Sequence, residues 1–220
     1  MGVKKEERRT SRQELLFWHR RIYEEGLVVW SQGNISCRMA NQGRMLIKAS
    51  GIHYEDLTPD HMVEVSIPDG ECSGRFKPST DTSSHRVVYQ EFDFINAIVH
   101  THSTFCTAFA ACGKLIPVAL TAMADEFGDL IPCSQYCEIG GEEVGREVVG
   151  LLGDAGAVLI RNHGLFTVGR TLEEAVKRAV MAEDCARTTW HATRTREYIL
   201  LTQDQIDARH ERYKGGGYGQ

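Results

Sequence analysis

The chain has 220 residues, 42% of them hydrophobic and 25% charged, with a formal net charge of −5. That length and balance fit a globular protein with one substantial core and exclude a collagen-like, fibrous or disordered chain. The mild acidity argues against nucleic acid as a partner, which selects for clustered Lys and Arg; no apolar run reaches the ~20 residues of a membrane span, and no secretory leader is visible, so a cytoplasmic protein is expected.

Residues 1–10, with Lys4, Lys5, Arg8 and Arg9 around Glu6 and Glu7, read as a frayed, solvated lead-in. Thr10 or Ser11 is placed to cap a first helix, with Glu14 completing a capping box, and Leu15, Trp18 and Ile22 recur at helical spacing up to Gly26. Ser31-Gln32-Gly33-Asn34 is turn chemistry. Strands are predicted over 35–39 and 45–49, joined by the Asn41-Gln42-Gly43 turn, and over 63–65. Thr58-Pro59-Asp60 opens a short helix. Lys77-Pro78-Ser79-Thr80-Asp81 is a loop leading into a helix over 85–92. A buried strand over 96–100 runs into His100-Thr101-His102, and Ser103 is placed to cap a helix over 104–111. A helix over 142–152 precedes an apolar strand, 157–160, which ends at Arg161-Asn162-His163-Gly164, and 166–168 continues as strand. Thr171 caps a long helix to about Thr195, with Leu172, Ala175, Val176, Ala179 and Ala182 on its packing face. Residues 206–220 read as a polar tail ending Tyr218-Gly219-Gln220. The mixture of short strands and helices, with no linker or repeat, implies a single α/β or α+β domain over 1–220.

The seven cysteines are odd in number and irregularly spaced, which reads as reduced thiols rather than a disulfide framework. Cys133 and Cys137 lack the second pair that a Cys₄ zinc site requires.

His100 and His102, two apart on an extended segment, point to the same face. His163 follows a second buried strand in the same way. Three neutral imidazoles around an open position are the donor set of a catalytic zinc site, whereas a closed structural site favours cysteines. His19, His53, His61, His85 and His191 fall on helices or polar turns and read as ordinary structural residues. Asp81, by local pattern, caps the helix that follows it; a carboxylate near a metal also serves as ligand or proton carrier. Gly33-Asn34, Ser50-Gly51 and Ser79-Thr80 are small polar loops able to cradle a phosphate with backbone N–H groups, with Lys48 adding charge. Taken singly, each is an ordinary turn.

The segments Gly33-Asn34-Ile35-Ser36, Lys48-Ala49-Ser50-Gly51, Lys77-Pro78-Ser79-Thr80-Asp81-Thr82, His100-Thr101-His102-Ser103, Ile131-Pro132-Cys133 and Asn162-His163-Gly164, in this order, resemble the class II aldolase/adducin family from about Glu14 to the C-terminus. The resemblance implies a single domain with a central mixed β-sheet flanked by helices. It implies a divalent metal, zinc by expectation with manganese or cobalt as alternatives, held by His100, His102 and His163 with Asp81 beside them. It assigns phosphate binding to Asn34, Lys48, Ser50, Gly51, Ser79 and Thr80. Asp81 stands where the family's fuculose-phosphate aldolases carry glutamate and its 4-epimerases aspartate. Asp125 matches an aspartate of the epimerases, and Tyr218 matches a tail tyrosine acting in a neighbouring subunit's site. Arg209 and His210 compete for a further position upstream of that tyrosine. Met123 and Glu126 depart from the pattern, which has a histidine and an aromatic residue there. The implied activity is interconversion of L-ribulose 5-phosphate and D-xylulose 5-phosphate by cleavage and re-formation of C3–C4, with Asp125 and Tyr218 as the acid–base pair, in a homotetramer with sites between subunits. The alternatives are an aldolase of the L-fuculose-1-phosphate type, a thio-sugar phosphate dehydratase and, from a different class, a non-catalytic adducin-like oligomerisation module.

Overall fold

The computed structural model describes residues 2–40, 43–195 and 197–216, with side chains from residue 11 onward. Among the described residues, seven strands form one sheet: β1 (Asn34–Arg38), β2 (Arg44–Lys48), β3 (Met62–Ser66), β4 (Cys72–Ser73), β5 (Ala97–Thr101), β6 (Ala157–Ile160) and β7 (Gly164–Gly169). Their order is β4-β3-β2-β1-β5-β7-β6. The expected central sheet flanked by helices is present. Every pairing between these strands is antiparallel, and parallel character is confined to an isolated bridge between Cys133 and Leu159. Short connections explain this: β1 to β2 and β6 to β7 are hairpins, and a parallel pair needs a long crossover.

The helices are α1 (Gly2–Glu24), α2 (Thr82–Glu91), α3 (Thr104–Ala111), α4 (Thr121–Phe127), α5 (Glu143–Leu151), α6 (Leu172–Ala192) and α7 (Gln203–Lys214). They lie on both faces of the sheet, because alternate strand residues point to opposite sides. Ile35, Cys37, Ala97, Val99 and Leu165 pack with α1, α3, α4 and α6. Met45, Ile47, Ile98, Val158, Phe166 and Val168 pack with α2 and α5. Small residues on α6, Ala175, Ala179, Ala182 and Ala186, are buried and let the helix lie close to the sheet; Thr167 Oγ1 donates to the Ala175 carbonyl at 2.8 Å.

Three local expectations are corrected. Ser11 lies inside α1 and does not begin it. The stretch 206–214, read as polar tail, belongs to α7, capped by Thr202, whose hydroxyl accepts from Gln205 N. Thr121–Phe127 is helical where no helix was predicted. Thr171 caps α6 as expected, its Oγ1 accepting from Glu174 N at 3.1 Å.

His19 joins α1 to the sheet. It is fully buried; Nδ1 donates to the Leu15 carbonyl at 2.7 Å and Nε2 accepts from Ile35 N at 3.0 Å. Burial pushes its pKa down to about 3, so the ring is neutral, with both nitrogens satisfied.

Candidate metal centre and anion cavity

His100 lies on β5 opposite Asn34 of β1 and Phe166 of β7, in the middle of the sheet. His102 stands one residue past the end of β5, and His163 occupies the turn between β6 and β7. That turn brings Asn162 into the left-handed region, φ 59°, a conformation asparagine tolerates better than most residues. Gly164 follows because nothing larger fits: a Cβ there would stand 2.3 Å from the Thr101 carbonyl oxygen, 3.1 Å from His102 and 3.2 Å from His100. Gly33 is required in the same sense, with φ +70° and a Cβ position 2.7 Å from the His100 carbonyl oxygen.

The result is a triangle of imidazoles. Each pair of ring centroids is 4.8 Å apart, and one nitrogen from each ring lies within 4.8 Å of the others. His100 Nδ1 donates to the Leu165 carbonyl at 3.0 Å, which leaves its Nε2 as a lone-pair donor. His102 Nε2 is 3.0 Å from that atom. His163 Nε2 is buried with no hydrogen-bond partner. Burial pushes His100 down to about 3 and His102 to about 4, and lowers His163 as well. Converging neutral imidazoles, one with an orphaned buried nitrogen, fit a divalent cation.

Asp81 occupies the cap position of α2 but makes no side-chain cap bond, contrary to the local reading. Its Oδ2 accepts from Asn34 Nδ2 at 2.6 Å and lies 3.9 Å from His100 Nε2. Burial alone would raise this carboxyl. The surrounding imidazoles of His100, His85 and His163 and the Asn34 amide outweigh it and hold Asp81 below the usual carboxylate range. The same seam continues along α2 and β1. Ser36 Oγ bonds His85 Nδ1 at 2.7 Å and the Tyr89 hydroxyl at 2.9 Å. Asp81, His85 and Tyr89, four apart on one helix face, are thus keyed to Asn34 and Ser36, two apart on one strand face. His85 therefore belongs to the support of the site, which its helical position alone did not reveal.

Beside the triad is a cavity of about 440 Å³ lined by Asn34, Lys48, Ser50, Gly51, Ser79, Thr80, Asp81, His102 and His163. The three predicted polar loops are brought together here. Asn34 lines the cavity, but both its amide hydrogens are directed at protein atoms, to Asp81 and to Ser79 Oγ at 3.1 Å. Lys48 is 2% exposed; its ammonium donates to the Ser31 carbonyl at 2.9 Å and the Ala49 carbonyl at 3.4 Å. Burial lowers it to about 8, partly offset by Asp81. Gln32 and Ile139 also line the cavity. Ile139 arrives on a loop 100 or more residues from β1, a placement with no local signature.

Asp125 is not among the residues lining this cavity. On α4, its carboxylate takes a two-pronged bond from Arg209 of α7, at 2.9 and 2.7 Å, while its carbonyl accepts from His210 Nδ1 at 2.9 Å. Glu126, the departure beside it, is buried and paired with Lys177 at 2.6 Å and with the Tyr213 hydroxyl at 3.0 Å. Met123 is buried in the core. Tyr218 lies outside the described residues.

The model of the class II aldolase and adducin N-terminal domain matches residues 13–190. The chain belongs to the class II aldolase/adducin family. Within the family, it is 34% identical over 209 residues to L-ribulose-5-phosphate 4-epimerase UlaF of Salmonella paratyphi B, covering 89% of this chain and 92% of that one. Among solved structures, an L-fuculose 1-phosphate aldolase superposes with a TM-score of 0.87 at 26% identity, covering 92% of this chain and 95% of that one. YgbL of Klebsiella pneumoniae superposes with a TM-score of 0.83 at 26% identity, covering 92% and 99%. No helix among the described residues is long and apolar enough to cross a membrane. In this family member, then, a triad able to hold a divalent ion opens onto a polar cavity at one end of the sheet.

Proposed function

We propose that the protein is a metal-dependent sugar-phosphate 4-epimerase that interconverts L-ribulose 5-phosphate and D-xylulose 5-phosphate. The observation that carries this reading is the juxtaposition of three neutral imidazoles with a cavity of about 440 Å³ lined by Ser50, Ser79, Thr80 and the buried Lys48. The identity to the Salmonella epimerase over 89% of the chain supports the 4-epimerase over other members.

His100, His102 and His163 would hold the ion, with Asp81 next to them. Zinc suits the imidazole donors, and the Asp81 carboxylate beside them adds an oxygen of the kind that manganese takes. A bound divalent cation supplies Lewis acidity to a ketose carbonyl. The chain's own residues do the rest. Ser50, Gly51, Ser79, Thr80 and Lys48 anchor the phosphate, so that the two-carbon aldehyde fragment stays in the site after the C3–C4 electron pair passes to the three-carbon fragment. Rotation of the anchored aldehyde and re-addition to its opposite face invert C4. One group must take the C4 hydroxyl proton and another must return it on the other face. Asp125 and Tyr218 fill these roles. Asp125 is tied to α7 through the paired bonds from Arg209. Tyr218 serves a neighbouring subunit's cavity in a closed homotetramer with head-to-tail contacts. The compartment we assign is the cytoplasm.

The likeness to the L-fuculose 1-phosphate aldolase supports a second reading, cleavage with release of fragments. Steady-state kinetics on both sugars separate the two. The epimerase reading expects kcat/KM on L-ribulose 5-phosphate to exceed that for cleavage of L-fuculose 1-phosphate by at least about a hundredfold, a difference of ~3 kcal/mol in transition-state binding. The reverse order would establish the aldolase.

A further inference from the structure

The helix that follows His102 begins without help from its own cap residue. Ser103 is in the cap position of α3, yet its side chain makes no bond to the first turn. Its Oγ instead accepts from Thr101 Oγ1 at 3.4 Å. The first-turn N–H groups go to a residue 78 positions away. Glu183 of α6 accepts from Phe105 N through Oε1 at 2.9 Å and from Cys106 N through Oε2 at 2.9 Å, with Phe105 N also 3.2 Å from Oε2. A carboxylate at this position satisfies orphan donors and meets the positive end of the helix dipole.

A cap taken from the helix's own lead-in fixes only the helix. A cap supplied from α6 fixes α3 relative to the layer packed on the sheet. The bend between β5 and α3 is held at one end by the strand, which carries His100, and at the other by Glu183. His102 sits inside that bend, and its Nε2 must meet His100 Nε2, 3.0 Å away, for the two to share an ion.

We propose that Glu183 is a positioning residue for the metal triad: by clamping the N-terminus of α3 onto α6 it sets the backbone of His102 and hence the aim of its imidazole. This rests on the reading of the triad as the metal site. Glu183 touches neither the imidazoles nor the cavity, so its effect is on ion affinity and coordination geometry.

The test compares the wild-type protein with Glu183→Ala, Glu183→Gln, His102→Asn and Thr171→Ala. Thr171 provides a matched control, since it caps α6 near the end of β7 away from His163. Zinc affinity is measured by competition with a chromophoric chelator, the cobalt-loaded proteins are compared by visible spectra, and Tm is read on the metal-free proteins. Glu183→Ala and Thr171→Ala are both expected to lower Tm. Only Glu183→Ala should also weaken zinc binding, by about tenfold, the lower end of the range for residues outside the ligand shell, and change the cobalt spectrum. Glu183→Gln keeps an acceptor oxygen and should fall between Glu183→Ala and wild type, which preserves the test where the alanine variant does not fold. Wild-type affinity and spectrum in folded Glu183 variants would overturn the proposal and leave the metal site standing. Equal zinc affinity in His102→Asn and wild type would remove the metal site itself, and this inference with it.

Discussion

Asn34 Nδ2 donates to Asp81 Oδ2 at 2.6 Å, linking the first residue of β1 to the start of α2 directly beside His100. The bond makes Asn34 an orienting group for the carboxylate as well as a wall of the cavity. Asn34→Ala should therefore lower kcat more than it raises KM. A hydrogen bond to a charged group contributes about 1.5–3 kcal/mol, so the loss expected in kcat is roughly ten- to hundredfold. A rise in KM with unchanged kcat would assign Asn34 to phosphate binding alone.

Lys48 links the cavity to pH. Burial lowers its pKa to about 8, so the ammonium is lost as pH rises through that value. If the ammonium holds the substrate phosphate, kcat/KM should fall above about pH 8. Lys48→Arg keeps its charge throughout the alkaline range and should flatten that limb, even where the bulkier side chain lowers the plateau. An unchanged limb in the arginine variant would exclude Lys48 as its source.

Gly164, the residue after His163, lies tightly against the end of β5. Gly164→Ala places a methyl 2.3 Å from the Thr101 carbonyl oxygen, and backbone must move. The expected cost is about 1–3 kcal/mol in stability, as for overpacking elsewhere, together with weaker zinc binding because both His100 and His102 border the new methyl. Urea denaturation and zinc titration read the two effects separately.

Much of this candidate site is visible in the sequence. The H-x-H spacing at the end of an apolar strand, and a third histidine after another apolar strand, specify imidazoles on one sheet face. The polar loops at Gly33, Ser50 and Ser79 were visible as turns, but the β1–β2 pairing and the bridge between Ala49 and Pro78 are what bring them to one cavity. The role of Asp81 was not readable locally, because Ser79-Thr80-Asp81 before a helix has the pattern of a cap; its actual partner, Asn34, lies 47 residues away. α7 was missed for a different reason. Its one buried residue is Ile206, so it carries no apolar period, and it is held by the Arg209–Asp125 pair rather than by a hydrophobic stripe. The mixed sheet was implied by the family resemblance, and the antiparallel pairing follows in part from hairpins that local spacing only partly revealed.

His19 gives a stability prediction independent of the site. Its folded-state pKa, about 3, lies below the unfolded value of 6.5, so between these values the unfolded chain binds the extra proton. Stability is therefore highest above pH 6.5 and falls as pH drops through the window, by up to about 1.4 kcal/mol per pH unit from this residue. His19→Gln, able to accept from Ile35 N and donate to Leu15, should be less stable at neutral pH but show a shallower acid dependence. Parallel profiles for the two proteins would contradict the assignment.

As proposed, the imidazole triad and the cavity beside it together carry out C4 epimerisation. The direct measurement is ¹³C NMR of L-ribulose 5-phosphate incubated with the zinc- or manganese-loaded protein, alongside His100→Asn treated identically. D-Xylulose 5-phosphate should accumulate without free glycolaldehyde phosphate, and the conversion should disappear in the variant. Unchanged substrate with the ion bound, or accumulation of the two fragments alone, would contradict it.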